Sequence, residues 1–141
     1  MPFRFLLTAC AALLMLGCAT SNPYRSKDLM GGHDRQKGPG KLELITYTSP
    51  GNVTSLQAQA FVLFKCAEIA NEKQSSWFAI YDSLNGAAQG LATKWPSVGL
   101  ESDTLVASAF LQLLDTPRKN SFHTESVLEQ MRRHIGTEKQ Q

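Results

Sequence analysis

The sequence predicts an α/β domain, a small two-layer α/β sandwich of element order β-α-β-β-α with a mixed sheet and its helices on one face. Three observations carry that prediction. Residues 41–48 (KLELITYT) alternate with the two-residue period of a strand. Residues 55–73 repeat apolar side chains at helical spacing. Residues 75–83 and 104–115 then alternate again before a second helical pattern closes the chain.

In the first strand Leu42, Leu44 and Thr46 fall on one side, and Glu43, Ile45 and Tyr47 on the other. Ser49-Pro50-Gly51-Asn52 follows as a turn, with Pro50 presetting φ and Gly51 free to take the positive φ of a type II turn. Thr54 and Gln57 then make a capping box for the helix. Within it Leu56, Ala60, Leu63, Ala67 and Ala70 form a stripe flanked by Phe64 and Cys66, with Gln57, Lys65, Glu68 and Glu72 opposite. An Ala-rich face of that kind lets a helix lie close to a sheet. Phe61 falls among the polar residues, which makes it a candidate partner contact.

The aromatic run SSWFAIYDS (75–83) is the second strand. TLVASAFLQLLD (104–115) has Ala and Leu content that suits a helix, but Leu105, Ala107, Ala109, Leu111 and Leu113 alternate, and it is assigned as a strand. Thr124 caps the last helix, in which Val127, Leu128, Met131 and Ile135 share a face and which Gly136 ends, leaving 137–141 as a disordered tail. Arg132, Arg133 and His134 then occupy its last turn, where positive charge suits the helix dipole.

The N-terminus reads as a targeting segment. Arg4 supplies its positive charge, and residues 5–16 are apolar apart from Thr8, too short to span a hydrocarbon core of roughly 30 Å. Met15-Leu16-Gly17-Cys18 resembles the bacterial lipobox: a small residue precedes a Cys whose thiol can carry a diacylglyceryl group as a thioether. The expected organisation is a signal peptide over 1–17, an acylated Cys18 with a tether over 18–40, and one α/β domain over 41–136. Ala19 after the Cys resembles the outer-membrane sorting pattern of enteric bacteria, so the expected location is the outer membrane, facing the periplasm.

Loss of Arg4 with the signal leaves 13 of the 14 basic residues against 12 acidic ones, a net charge of +1. That balance gives no nucleic-acid footprint. Of three cysteines, Cys10 leaves with the signal and Cys18 is acylated, so Cys66 remains alone and the mature chain has no internal disulfide. Residues 19–40, rich in Gly and polar side chains, read as linker; Arg25, Lys27, Arg35 and Lys37 are diluted by Asp28 and Asp34.

The turn Gly51-Asn52, Thr54, the helix core Cys66-Ala67-Glu68-Ile69-Ala70 and the run Trp77-Phe78-Ala79-Ile80-Tyr81-Asp82 together resemble a group of small uncharacterised proteobacterial envelope lipoproteins. The likeness covers residues 47–82 and implies a lipid-anchored envelope protein. It supplies no catalytic residue.

The residues themselves show no catalytic constellation. His33, His123 and His134 are scattered without metal-ligand spacing, so neither metal nor cofactor is expected. No G-x-S-x-G elbow occurs, and Gly86 to Gly90 lacks the residues of a phosphate loop. Cys66 at the margin of the apolar stripe reads as a packed hydrophobe. Residues 83–102 form a long irregular connection, and Trp95 within it is the first candidate for contact with another envelope protein; the plainer reading folds Trp95 over the open face of the sheet. The expected role is therefore non-catalytic binding or support. The alternative is a small-ligand binder or hydrolase using a pocket between the sheet and loop 83–102, with polar groups from His123, Asp82 or Glu101.

Overall fold

The computed structural model describes residues 32–138, with side chains as far as Arg133. The signal peptide, Cys18 and the first part of the tether lie outside the described residues, as does the end of the tail. In chain order the elements are β1 (Gly32–Lys37), β2 (Glu43–Thr48), α1 (Ser55–Glu72), β3 (Trp77–Tyr81), α2 (Leu84–Ala88), β4 (Ser97–Glu101), β5 (Thr104–Leu114), β6 (Phe122–His123) and α3 (Thr124–Glu138). The fold is mixed α/β, a six-stranded antiparallel sheet with three helices.

The eleven-residue strand β5 organises the sheet. One edge of it pairs with β2, from Val106 opposite Thr48 to Leu111 opposite Glu43. Its other edge takes two strands in tandem, β4 against Thr104 to Ser108 and β3 against Phe110 to Leu114. β1 and β6 close the two sides, giving the order β1-β2-β5-β3-β6. The expected mixed sheet is corrected by this arrangement. The helical crossover does return β3 parallel to β2, but β5 lies between them, so every pairing is antiparallel.

Four elements were not expected from the sequence. β1 lies in what reads as tether: GHDRQK shows no apolar alternation because on an edge strand only Gly32 and His33 at its start are buried. The stretch read as an irregular loop over 83–102 contains α2 and β4, while β6 is a two-residue strand beside β3. β4 and β5 are joined by Ser102 and Asp103, both with positive φ (49° and 65°). That is the left-handed pair of a two-residue type I′ hairpin, whose twist matches the sheet.

α1 begins as the sequence requires. Thr54 Oγ1 accepts from the Gln57 N–H at 3.2 Å, and Gln57 Oε1 accepts from the Thr54 N–H at 3.0 Å, completing the capping box. It ends in a Schellman turn: the Ser75 N–H reaches the Ala70 carbonyl and the Gln74 N–H that of Asn71, with Gln74 in the left-handed region at φ 57°. Gly51 takes the expected positive φ, 117°, in the bend before the helix.

The core lies between α1, α3 and one face of the sheet. Ile45 and Tyr47 of β2, Phe78 and Ile80 of β3, and Ala107, Ala109 and Leu111 of β5 meet Val62, Cys66 and Ile69 of α1 and Leu128 of α3. Small side chains at Ala107 and Ala109 let α1 settle close to the sheet. Because α1 touches both the sheet and α3, its buried arc is wider than the single stripe expected, and Phe61 belongs to it. Leu56, placed in that stripe by periodicity, sits instead at the uncovered first turn and is exposed.

The opposite face of the sheet carries a smaller cluster of Ala79, Tyr81 and Leu114, against which Ala87 of α2 and Ala92 pack. The expectation of helices on one face therefore holds for α1 and α3 and is corrected for α2. At α3, Thr124 was expected to cap with its hydroxyl; that hydroxyl instead donates to the Ser75 carbonyl at 2.7 Å, tying the helix start to the end of α1. The helix runs through Gly136 to Glu138, so Arg132 and Arg133 do not fall in its last turn.

Candidate functional site

Of the two residues singled out for partner contact, the structure separates one from the other. Phe61 is buried, its ring edge-on to Tyr47 at 5.1 Å between centroids, and the expectation that it contacts a partner is corrected. The side that periodicity marks as polar is here turned toward β2. Trp95 is 53% exposed. The residues packed against the cluster on the open face of the sheet include Ala87, Ala92 and Phe110 but not Trp95. Its backbone is held on both sides. The Thr93 N–H donates to the Ile80 carbonyl at 2.9 Å, Thr93 Oγ1 to the Trp95 carbonyl at 3.2 Å, and Gln59 Nε2 of α1 to the Pro96 carbonyl at 2.7 Å. A large indole is thus presented from an anchored segment.

The candidate pocket residues Glu101, Asp82 and His123 are not brought together. Glu101 pairs opposite Thr104 at one end of β5, and His123 lies opposite Trp77, whose own partner is Leu114 at the other end. Asp82, one residue beyond Tyr81, falls between them, level with Ala109. Five strand residues on each side amount to about 16 Å apiece at roughly 3.3 Å per residue. Locally, Asp82 Oδ1 accepts from Ser83 Oγ at 3.1 Å, while Ser83 Oγ accepts from the Gly86 N–H at 2.9 Å and so caps α2.

One nucleophile–base contact does exist, and sequence spacing did not single it out. His123 Nδ1 lies 3.0 Å from Ser126 Oγ, and the imidazole stands edge-on to Trp77 with centroids 5.0 Å apart. Ser126 also lines a shallow depression of about 250 Å³ on α3, with Glu129, Gln130 and Arg133. Among the described residues no carboxylate orients the His123 ring, and the contact spans three residues at a helix start, where local side-chain bonds are ordinary. The depression carries an ion pair between Arg133 and Glu129 on its rim.

Two buried groups have strongly altered chemistry. His33 of β1 is buried beside Tyr47, with ring centroids 5.1 Å apart. Burial, aided by the charge of Lys65, lowers its pKa to about 4. Cys66 is fully buried, and burial, with the Glu43 charge second, pushes its thiol far up, the opposite of an activated thiolate. Between β1 and β2, Arg35 grips Glu43 through two nitrogens and reaches Glu72 of α1 at 3.6 Å. The Arg35 hydrogen bond holds the Glu43 carboxyl below its usual range.

Among the described residues, no three His, Cys, Asp or Glu side chains gather closely enough to hold a metal ion, and no helix is long and apolar enough to cross a membrane. No family model, curated protein or solved structure matches the chain. The features left standing are the exposed, anchored Trp95 and, outside the described residues, Cys18.

Proposed function

We propose that the chain is a lipid-anchored protein of the bacterial envelope with a non-catalytic binding or structural role. The observation that carries this reading is the sequence Met15-Leu16-Gly17-Cys18 at the end of an apolar run too short to span a bilayer. Cleavage before Cys18 and acylation of its thiol and amine would add three chains. At about 0.8 kcal/mol per buried CH₂, that attachment is effectively permanent. Ala19 favours the outer membrane, with the domain facing the periplasm.

The domain itself is read as a two-layer α/β sandwich whose helical layer is α1 with α3. Glu101, Asp82 and His123 lie at separate levels along β5, which removes the support for a ligand pocket shared among them. The contact surface is assigned to Trp95, a large aromatic held by backbone hydrogen bonds and exposed, and the partner to another envelope protein.

Two measurements test these statements separately. Cys18→Ala should abolish incorporation of labelled palmitate and move the protein from the membrane to the soluble fraction; unchanged membrane attachment would overturn the anchor. A photo-crosslinking residue at position 95 should trap one defined protein in cells, whereas the same residue at Arg118 should not. Equal, diffuse adducts at both positions would overturn the assignment of Trp95.

A further inference from the structure

Three of the six large apolar residues exposed among the described residues fall on α1 and β4. Leu56 is 64% exposed, Val98 40% and Leu100 71%. The register places Val98 opposite the buried Ala107 and Leu100 opposite Leu105, so both side chains point to the helix-covered side of the sheet. There α1 runs beside β4, fastened by the Gln59–Pro96 hydrogen bond, and Leu56 lies one turn before Gln59 on the same flank. The three side chains therefore form one uncovered patch at the end of the domain that carries the β4–β5 hairpin.

The chain enters the domain at this same end. Gly32 pairs with Thr48, Thr48 with Val106, and Val106 with Gly99, a single row across the sheet. Three strand spacings, about 14 Å in all, separate Gly32 from β4. Fourteen residues lead from Cys18 to Gly32. At no more than about 3.6 Å per residue, their full reach is about 50 Å. The opposite end of the sheet, at Lys37 and Leu111, is farther away by five residues of strand, about 17 Å.

We propose that the Leu56–Val98–Leu100 end of the domain docks on a lipid surface, held there by the tether. The inference rests on the lipid-anchor reading of Cys18. An anchored domain meets the bilayer most often with the end nearest its tether, and confinement converts a patch too weak to bind vesicles from solution into one that stays engaged. Charge decides which surface. Glu101 and Asp103 are exposed on the hairpin beside the patch, so neutral headgroups suit it and anionic ones repel it.

The test uses the full acylated protein in phosphatidylcholine vesicles, with a nitroxide on Ser55→Cys beside the patch or on Arg118→Cys in the β5–β6 connection. Buried Cys66 does not take the label. Docking predicts that the label at 55 is several-fold better protected from a polar relaxation agent than the label at 118. Leu56→Glu with Leu100→Glu should abolish the difference without changing flotation, and adding anionic phosphatidylglycerol should shrink it. Protein that floats with the vesicles but shows equal protection at both positions overturns the docking and leaves the anchor standing. Recovery from cells of a chain with no acyl group on Cys18 overturns both, and stronger protection on anionic vesicles overturns the assignment to a neutral surface.

Discussion

Acidification should weaken this domain over a range in which its carboxylates are still ionised, and His33 sets that range. In the folded state burial beside Tyr47, with Lys65 nearby, holds the imidazole at a pKa of about 4, against 6.5 for a free side chain. The unfolded chain binds the proton more readily, so between these values stability falls as pH falls, and above about 6.5 it is flat. By pH 5 the unfolded state has gained about 2 kcal/mol, and by pH 4 about 3, at roughly 1.36 kcal/mol per unit. Glu43, held low by Arg35, contributes stability above its ordinary pKa of 4.5 and loses it only as pH falls through its still lower folded value. The window from pH 7 to pH 5 therefore belongs to His33. Urea melts should show a midpoint lower by about 1–2 M at pH 5 than at pH 7, for an m-value near 1–1.5 kcal/mol/M. His33→Phe, which keeps the ring against Tyr47 but cannot protonate, should flatten the profile. A parallel loss in both proteins, or an NMR titration of the His33 ring centred near 6.5, would refute the reasoning.

Three further outcomes follow from the packing and the caps. Phe61→Ala should cost about 3–4 kcal/mol of stability in denaturant melts, since it empties a buried ring site against Tyr47; a surface contact would cost under about 0.5. Gln74→Gly should stabilise by about 0.5–1 kcal/mol, because the φ of 57° that closes α1 strains any side chain with a Cβ; no rise in melting temperature would count against the Schellman geometry. Cys66 should react with a thiol reagent only at the rate of unfolding, so modification of the native protein in a fast burst would contradict its burial.

The parts of the fold legible in the sequence are those whose pattern answers to a large buried surface. Residues 41–48 and 104–115 alternate because β2 and β5 each bury one face under α1, and β2 and β5 lie where alternation puts them. The capping box at Thr54 is local chemistry and was readable in full. β1 and β4 are edge strands with mostly exposed residues, which leaves nothing apolar to repeat, and the Gly-containing α2 is too short to show a period. Phe61 was misplaced because periodicity assumes one covering surface, whereas α1 lies against both the sheet and α3. Parallel pairing of β2 with β3 was excluded only by β5, a strand that follows both in the chain and inserts between them.

The same geometry separates two tasks that would otherwise compete for one surface. Trp95 precedes β4 and Leu100 lies near its far end, five residues on, which is about 16 Å of extended chain. If the Leu100 end meets lipid, the indole stands above the headgroups on the flank of the domain, open to a protein beside it. The segment between them is fixed at Thr93 to β3, at Pro96 to α1 and at 97–101 to β5, so it transmits position without bending freely. Loosening that segment should then weaken partner capture while leaving membrane association intact. Gln59→Ala removes the α1 fastening and nothing in the core. It should lower crosslinking from position 95 several-fold with unchanged flotation, and equal crosslinking would show that Trp95 needs no such positioning.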